Sequence, residues 1–206
     1  MFRLCLIALS VAVLATSAFA VEEPADLGFG VIGVYTAPYA GPDAQDYLAD
    51  VVAGVPVNVY FTLYHHRMAS TQMGGFECLW EMLPGNVNYE VLDLELLVWE
   101  AFNFGDSHNL MVGVRLPTTY NDDPIPLFKA TIMFTEQPNG TSIRLQPSWL
   151  ESIAGEMAYA GYRQPDTLLI MRPDNAAQSL DDPVFWFNPT VAVENRSLSG
   201  VKALFD

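Results

Sequence analysis

The sequence predicts an all-β, antiparallel two-layer fold with a short irregular C-terminal tail, and three observations predict it. Beyond Gly28 the apolar residues come in short runs, alternating with polar ones or unbroken over a few positions, and separated by Gly, Pro, Asn and Asp. That spacing belongs to many short strands joined by turns. Of 206 residues, 51% are apolar and 12% aromatic, which is enough to fill a sizeable core and argues against a disordered chain. Only Cys5 and Cys78 are available as thiols. If Cys5 leaves with a leader, no intramolecular disulfide can form and apolar packing must hold the fold.

Residues 1–20 have the layout of a secretory signal: Arg3 as a cationic start, an apolar run from Leu4 to Thr16, and Ala18-Phe19-Ala20 as the small-x-small site before Val21. The apolar run is too short for a transmembrane helix, which needs about 20 such residues. Val21 in place of a cysteine at the first mature position argues against a lipid anchor. Residues 21–27 form an acidic, proline-containing lead-in, and one β-domain is expected over 28–188, with a connector and tail at 189–206.

Within that domain each element has its own reason. Gly28-Phe29-Gly30-Val31-Ile32-Gly33 spells a dinucleotide-binding pattern, yet Val31 to Thr36 continues as β-branched strand where such a site needs a helix. The glycines therefore read as close backbone packing in a first strand. In Val57 to His66, Val57, Val59, Phe61 and Leu63 face one way, and Asn58, Tyr60, Thr62 and Tyr64 the other. In Phe76 to Met82, Phe76, Cys78 and Trp80 share the inner face opposite Glu77 and Glu81, which makes Cys78 a buried, inert thiol. Val87 to Phe104 fits both a strand and a helix face, and its neighbouring turns favour strand. Asn109 to Leu116, Leu127 to Thr135, Ser142 to Gln146, Thr167 to Met171 and Val184 to Phe187 are further strands. Trp149 to Tyr162 is the one other place for a short helix, weakened by Gly155 and Gly161. Two turns share a device, Asp122-Asp123-Pro124 and Asp181-Asp182-Pro183, in which proline opens the next strand and the aspartates can bond back to the backbone.

Nine Lys and Arg against 24 Asp and Glu give a net charge of −15. A nucleic-acid binder or a polybasic membrane-surface protein needs the opposite field, so cations, sugars and proteins remain as partners. Chemistry is sparsely signalled. Adjacent His65 and His66 point to opposite strand faces, and His108 sits in a turn-like stretch, so no metal spacing arises. Asp93 and Glu95 share a strand face with Cα atoms about 7 Å apart, which could suit the acid and base of a glycosidase but equally a solvated strand face. Asp122, Asp123, Asp181 and Asp182 could supply oxygens to a structural calcium, without any EF-hand spacing, and turn capping explains them as well. Tyr60, Tyr64 and Trp99 are the outward aromatics that could stack on a sugar. No catalytic residue and no required cofactor is predicted.

The succession of the Val57 to Tyr64 strand, Gly75-Phe76-Glu77-Cys78-Leu79-Trp80, a Leu-rich segment ending at Asn103-Phe104-Gly105, and Leu110-Met111-Val112-Gly113-Val114 resembles bacterial cohesin-like and Ig-like sandwich modules. The resemblance spans about residues 55–135. It implies a cohesin-like or Ig-like β-sandwich and a non-catalytic binding module, and it transfers no binding residue. Ser199-Gly200-Val201-Lys202-Ala203-Leu204-Phe205 looks like the ending of uncharacterised exported bacterial proteins, with Leu198-Ser199 where those carry Trp and Asp206 where they carry Arg. The expectation is a secreted, periplasmic or cell-surface binding or structural module with a protein or glycan partner. A carbohydrate-binding module with a structural calcium is the first alternative, and a glycoside hydrolase the second.

Overall fold

The computed structural model describes residues 29–38, 47–64, 73–115, 124–161, 164–175 and 177–189. Among them lie twelve strands and no helix: β1 (Phe29–Tyr35), β2 (Leu48–Ala49), β3 (Val57–Tyr64), β4 (Met73–Leu83), β5 (Tyr89–Leu96), β6 (Ala101–Asn103), β7 (Asn109–Val114), β8 (Ile125–Phe134), β9 (Thr141–Gln146), β10 (Met157–Gly161), β11 (Gln164–Pro173) and β12 (Phe185–Phe187). The all-β expectation holds. Hydrogen bonds lead from strand to strand in the order β2-β12-β9-β4-β10-β11-β1-β3-β8-β5, with β7 on β4 and β6 on β7.

This path doubles back on itself, because strands far apart along it touch face to face through their rings. Phe76 of β4 stacks over Phe128 of β8 at 6.1 Å, Phe61 of β3 lies 5.8 Å from Trp80 of β4, and Phe134 of β8 meets Phe187 of β12 at 4.8 Å. One layer is therefore β5-β8-β3-β1, the other is built on β6-β7-β4-β10 with β9, β12 and β2, and β11 joins β10 to β1 between them. The inward positions are those the period-two pattern selects: Val59, Phe61 and Leu63 are fully buried, as are Cys78 and Trp80. Burial of these side chains, at about 1.5–3 kcal/mol each, supplies the stabilisation that no disulfide provides.

Four local expectations meet the structure differently. Most pairings are antiparallel, but β1 runs parallel to β11 and β2 parallel to β12, which is open to strands distant in sequence that need no tight turn between them. The segment from Trp149 onward forms turns and then β10, with no helix. Gly155 there has φ +74°, incompatible with a continuing helix, and Met157 and Tyr159 bury their side chains with strand spacing. Thr62 and Tyr64, expected on the wetter face of β3, are both buried. The Asp181-Asp182 turn is tied by neighbours: Asn175 Nδ2 donates to the carbonyls of Ser179 and Asp182, and the Ser179 Oγ accepts from Asp181 N–H. Asparagine and serine serve here because one side chain can both donate and accept. Prolines do mark strand starts, Pro124 directly before β8 and Pro183 two residues before β12.

The close-packing reading of the first-strand glycines is borne out at Gly33. A Cβ there would lie 2.3 Å from the Tyr35 hydroxyl oxygen, which donates to Asp174 Oδ2 at 2.6 Å. Val87 to Phe104 resolves into β5 and β6. β5 is an outer strand with a bulge between Val91 and Asp93 and exposed Glu90, Asp93 and Glu95, features that discourage further strand addition.

Candidate functional site

Of the described residues named from sequence, Tyr60, Asp93 and Glu95 meet around Lys129 on β3, β5 and β8, and the others stand apart from them. Tyr60 lies half-buried on β3, in register with buried Tyr35 on one side and Lys129 on the other, so no second exposed aromatic flanks it in that row. Tyr64 is only 4% exposed, in a small cluster with Val31 and Tyr35, and its phenol is pushed upward by burial and by the neighbouring Tyr35 and Asp174. The outward placement expected for Tyr64 is thus corrected. Trp99 is exposed on the β5–β6 link. Asp93 and Glu95 are exposed on β5, and Glu95 is paired with Lys129 Nζ at 2.5 Å. Asp181 and Asp182 sit in the exposed turn before β12, while Asp122, Asp123, His65 and His66 lie outside the described residues. Among the described residues no group of three His, Cys, Asp or Glu could hold a metal ion. The Cys78 thiol is fully buried and pushed up to about 12 by burial, with Glu77 adding to the effect.

A different site is assembled on the outer face of the second layer. Register places Phe102, Gly113, Gly75, Ala160 and Leu168 in one row across β6, β7, β4, β10 and β11. The next row runs Met111, Glu77, Ala158 and Ile170. Large side chains stand at the margins and glycine or alanine fills the centre, so the sheet face is hollowed by residue size alone. The result is an open trough of about 390 Å³, floored by Gly75, Gly113, Ala158 and Ala160 and walled by Phe104, Leu150 and Leu168. A Cβ on Gly113 would stand 3.2 Å from the Phe104 ring, so the missing side chain is what lets that ring lie over the strand.

Two polar networks hold the walls. On one side, Asn103 Oδ1 accepts from Gly105 N–H and Met111 N–H, while Asp106 Oδ1 accepts from His108 N–H at 2.7 Å and Asn109 N–H at 2.8 Å. Those bonds keep the Asp106 carboxyl below its usual range. His108 anchors this turn to the core, stacked on Trp80 at 4.5 Å with Nε2 2.9 Å from the Tyr89 hydroxyl. Burial lowers its affinity for a proton, with Asp106 opposing. On the other side, Glu77 at the trough floor accepts from Ser152 N–H at 2.6 Å and Ser152 Oγ–H at 2.8 Å, and Asn109 Oδ1 accepts from Trp149 N–H. The 149–156 loop is thereby pinned across the sheet, leaving Trp149 72% and Leu150 71% exposed.

Phe104 is 74% exposed and Phe102 53%. With Trp149, Leu150 and Leu168 they make five of the nine exposed large apolar side chains in the described residues, three of them lining the trough and the other two beside it in the chain. The sequence reading missed these residues, although their signal was present. Gly75 and Gly113 occupy outward positions of alternating strands, where a polar residue is usual, and two phenylalanines stand two apart in Phe102-Asn103-Phe104. Among the described residues no helix is long and apolar enough to cross a membrane.

No protein-family model matches the sequence, and no curated protein matches it. The structure is similar to those of cohesin modules. A cohesin module from a family 33 glycoside hydrolase of Clostridium perfringens matches at a TM-score of 0.45 and 7% identity, over 71% of this chain and 99% of that one. A non-cellulosomal cohesin from the archaeon Archaeoglobus fulgidus matches at 0.44 and 12%, over 79% and 92%. A structure of a type I cohesin–dockerin complex from Clostridium thermocellum matches at 0.41 and 11%, over 70% and 89%.

Proposed function

We propose that the chain is an exported, non-catalytic binding module that docks a protein partner on the outer face of β6, β7, β4, β10 and β11. One observation carries this reading: exposed Phe104, Leu150 and Leu168 wall a trough with glycine and alanine in its floor, and exposed Phe102 and Trp149 adjoin those walls in the chain. Exposing so much contiguous apolar surface is unfavourable in water unless something covers it, and aromatic anchors beside a pre-formed hollow are what protein interfaces use. The polar networks beneath Phe104 and Leu150 favour a surface that is rigid before it meets its partner, which lowers the ordering entropy lost on binding. Export rests on the leader pattern of residues 1–20.

The test is capture of partners by tagged chain from the native secretome, comparing wild type with Phe104→Ser and Leu150→Ser. Both side chains are mostly exposed, so melting temperatures should stay within a few degrees. A protein retained by wild type and lost from both variants supports the reading. Equal retention by all three sinks it.

A further inference from the structure

We infer that the trough selects a partner segment in which an apolar side chain, leucine- or phenylalanine-sized, is flanked by lysine or arginine. The inference rests on the docking reading above and adds the partner's chemistry. The trough lining contains one charged side chain, Glu77, and no cation. Both Glu77 oxygens are held by Ser152 at the floor, so this carboxylate belongs to the wall's construction, and the contact surface above it is apolar.

Two exposed carboxylates adjoin the wall residues in the chain. Glu151 follows the Leu150 wall directly and is exposed, and Asp106 lies two residues beyond the Phe104 wall, also exposed. Of the four described cations, Lys129, Arg144 and Arg172 are each tied to a carboxylate, Glu95, Glu81 and Glu156 respectively, Arg115 stands exposed just past the end of β7, and none of the four lines the trough. The whole chain carries −15, so its long-range field has the same sign as these two carboxylates. A cationic segment is drawn in by that field, and an acidic one is repelled before its apolar residue reaches the floor. A second copy of this chain brings the same negative charge and is disfavoured for the same reason. At about 30 Å³ per water the trough holds roughly a dozen waters over an apolar floor, and their release favours a side chain that fills it.

The probes are three fluorescein-labelled peptides of equal length, measured by anisotropy against the full chain. One alternates Leu and Phe with Lys, one replaces every Lys with Glu, and one keeps Lys but replaces Leu and Phe with Ala. The expected result is binding of the first alone, weakened about tenfold by Phe104→Ser or Leu150→Ser, and weakened severalfold by 0.5 M salt or by Glu151→Gln, which keeps the oxygen that accepts from Gly155 N–H. Equal binding of the Glu-containing apolar peptide overturns the charge preference while leaving the docking face intact. Equal binding of the Ala-containing peptide, or insensitivity to Phe104→Ser, reduces the effect to general attraction and overturns the inference. Failure of both apolar peptides to bind overturns the docking face along with it.

Discussion

Glu77→Gln keeps the size of the side chain at the trough floor and removes its charge. In the native chain two donors from Ser152 converge on the carboxylate, at 2.6 and 2.8 Å, and the residue is only 8% exposed. A hydrogen bond to a buried charged group contributes about 1.5–3 kcal/mol, and an amide, accepting from Ser152 N–H and donating to Ser152 Oγ, keeps the two contacts only as neutral bonds of about 0.5–1.5 kcal/mol each. The expected loss is about 2 kcal/mol, since relief of a desolvated charge offsets part of it. For a domain of this size that lowers the melting temperature by about 4–8 °C. Ser152→Ala removes the hydroxyl bond and keeps the backbone one, for a loss of about 1 kcal/mol. Because the two residues share one interaction, the double variant should lose about 1 kcal/mol less than the sum of the singles. Urea unfolding of the four proteins, with unchanged m-values, reads this directly. Additivity within about 0.5 kcal/mol would refute the claim that Glu77 pins the 149–156 loop, and with it the account of how Leu150 is held as a wall.

Other expectations follow from the same geometry. Gly33→Ala places a methyl group 2.3 Å from the Tyr35 hydroxyl oxygen, so the ring must shift and its bond to Asp174 weakens. A loss of about 1–3 kcal/mol is expected in chemical denaturation, and an unchanged midpoint would contradict the close approach. Burial depresses the His108 pKa, so the unfolded chain takes up the proton first; the contribution is intact above about pH 6.5 and is lost as pH falls through that value toward the folded-state pKa. Denaturation midpoints between pH 7.5 and 5.5 should therefore fall less steeply in His108→Gln than in wild type, and parallel slopes would remove His108 from the acid response. The Cys78 thiol, buried and raised to about 12, should resist a disulfide reagent at pH 8 until urea unfolds the chain. Rapid labelling of the folded protein would show that it is accessible.

Strand positions are legible wherever one face is buried and the other wet, as in Phe76 to Met82, because alternation then records the environment residue by residue. The pattern fails where a second cover is added. Thr62 and Tyr64 break the inside–outside rule because a satellite cluster with Tyr35 covers that end of β3, and Glu77 is buried on an outward position because the 149–156 loop lies over it. Neither cover is encoded in the period of the strand it shields. β10 is hard to see for a related reason: Met157-Ala158-Tyr159-Ala160-Gly161 alternates large with small instead of apolar with polar. That same alternation makes the trough, so the signal that hides the strand is the signal of the site. Single-residue choices such as Tyr60, Tyr64 and Trp99 cannot be grouped from sequence, since proximity between outward aromatics depends on strand order. That order is set by pairings such as β1 with β11 that join distant parts of the chain.

The parallel pairing of β1 with β11 has a consequence for how the molecule comes into being. Phe29 lies opposite Ile170, some 140 residues later. At a synthesis rate of about 5–20 residues per second, one flank of the first strand waits roughly 7–28 s for its neighbour to be made, even after β3 has covered the other. So distant a closure ranks the chain among slow folders, because the loop entropy has to be overcome before the contact repays it. During that interval Ile32 and Val34 lack their final cover, which makes the nascent chain a natural client for a holding chaperone and leaves it threadable for longer than a protein knit together by hairpins.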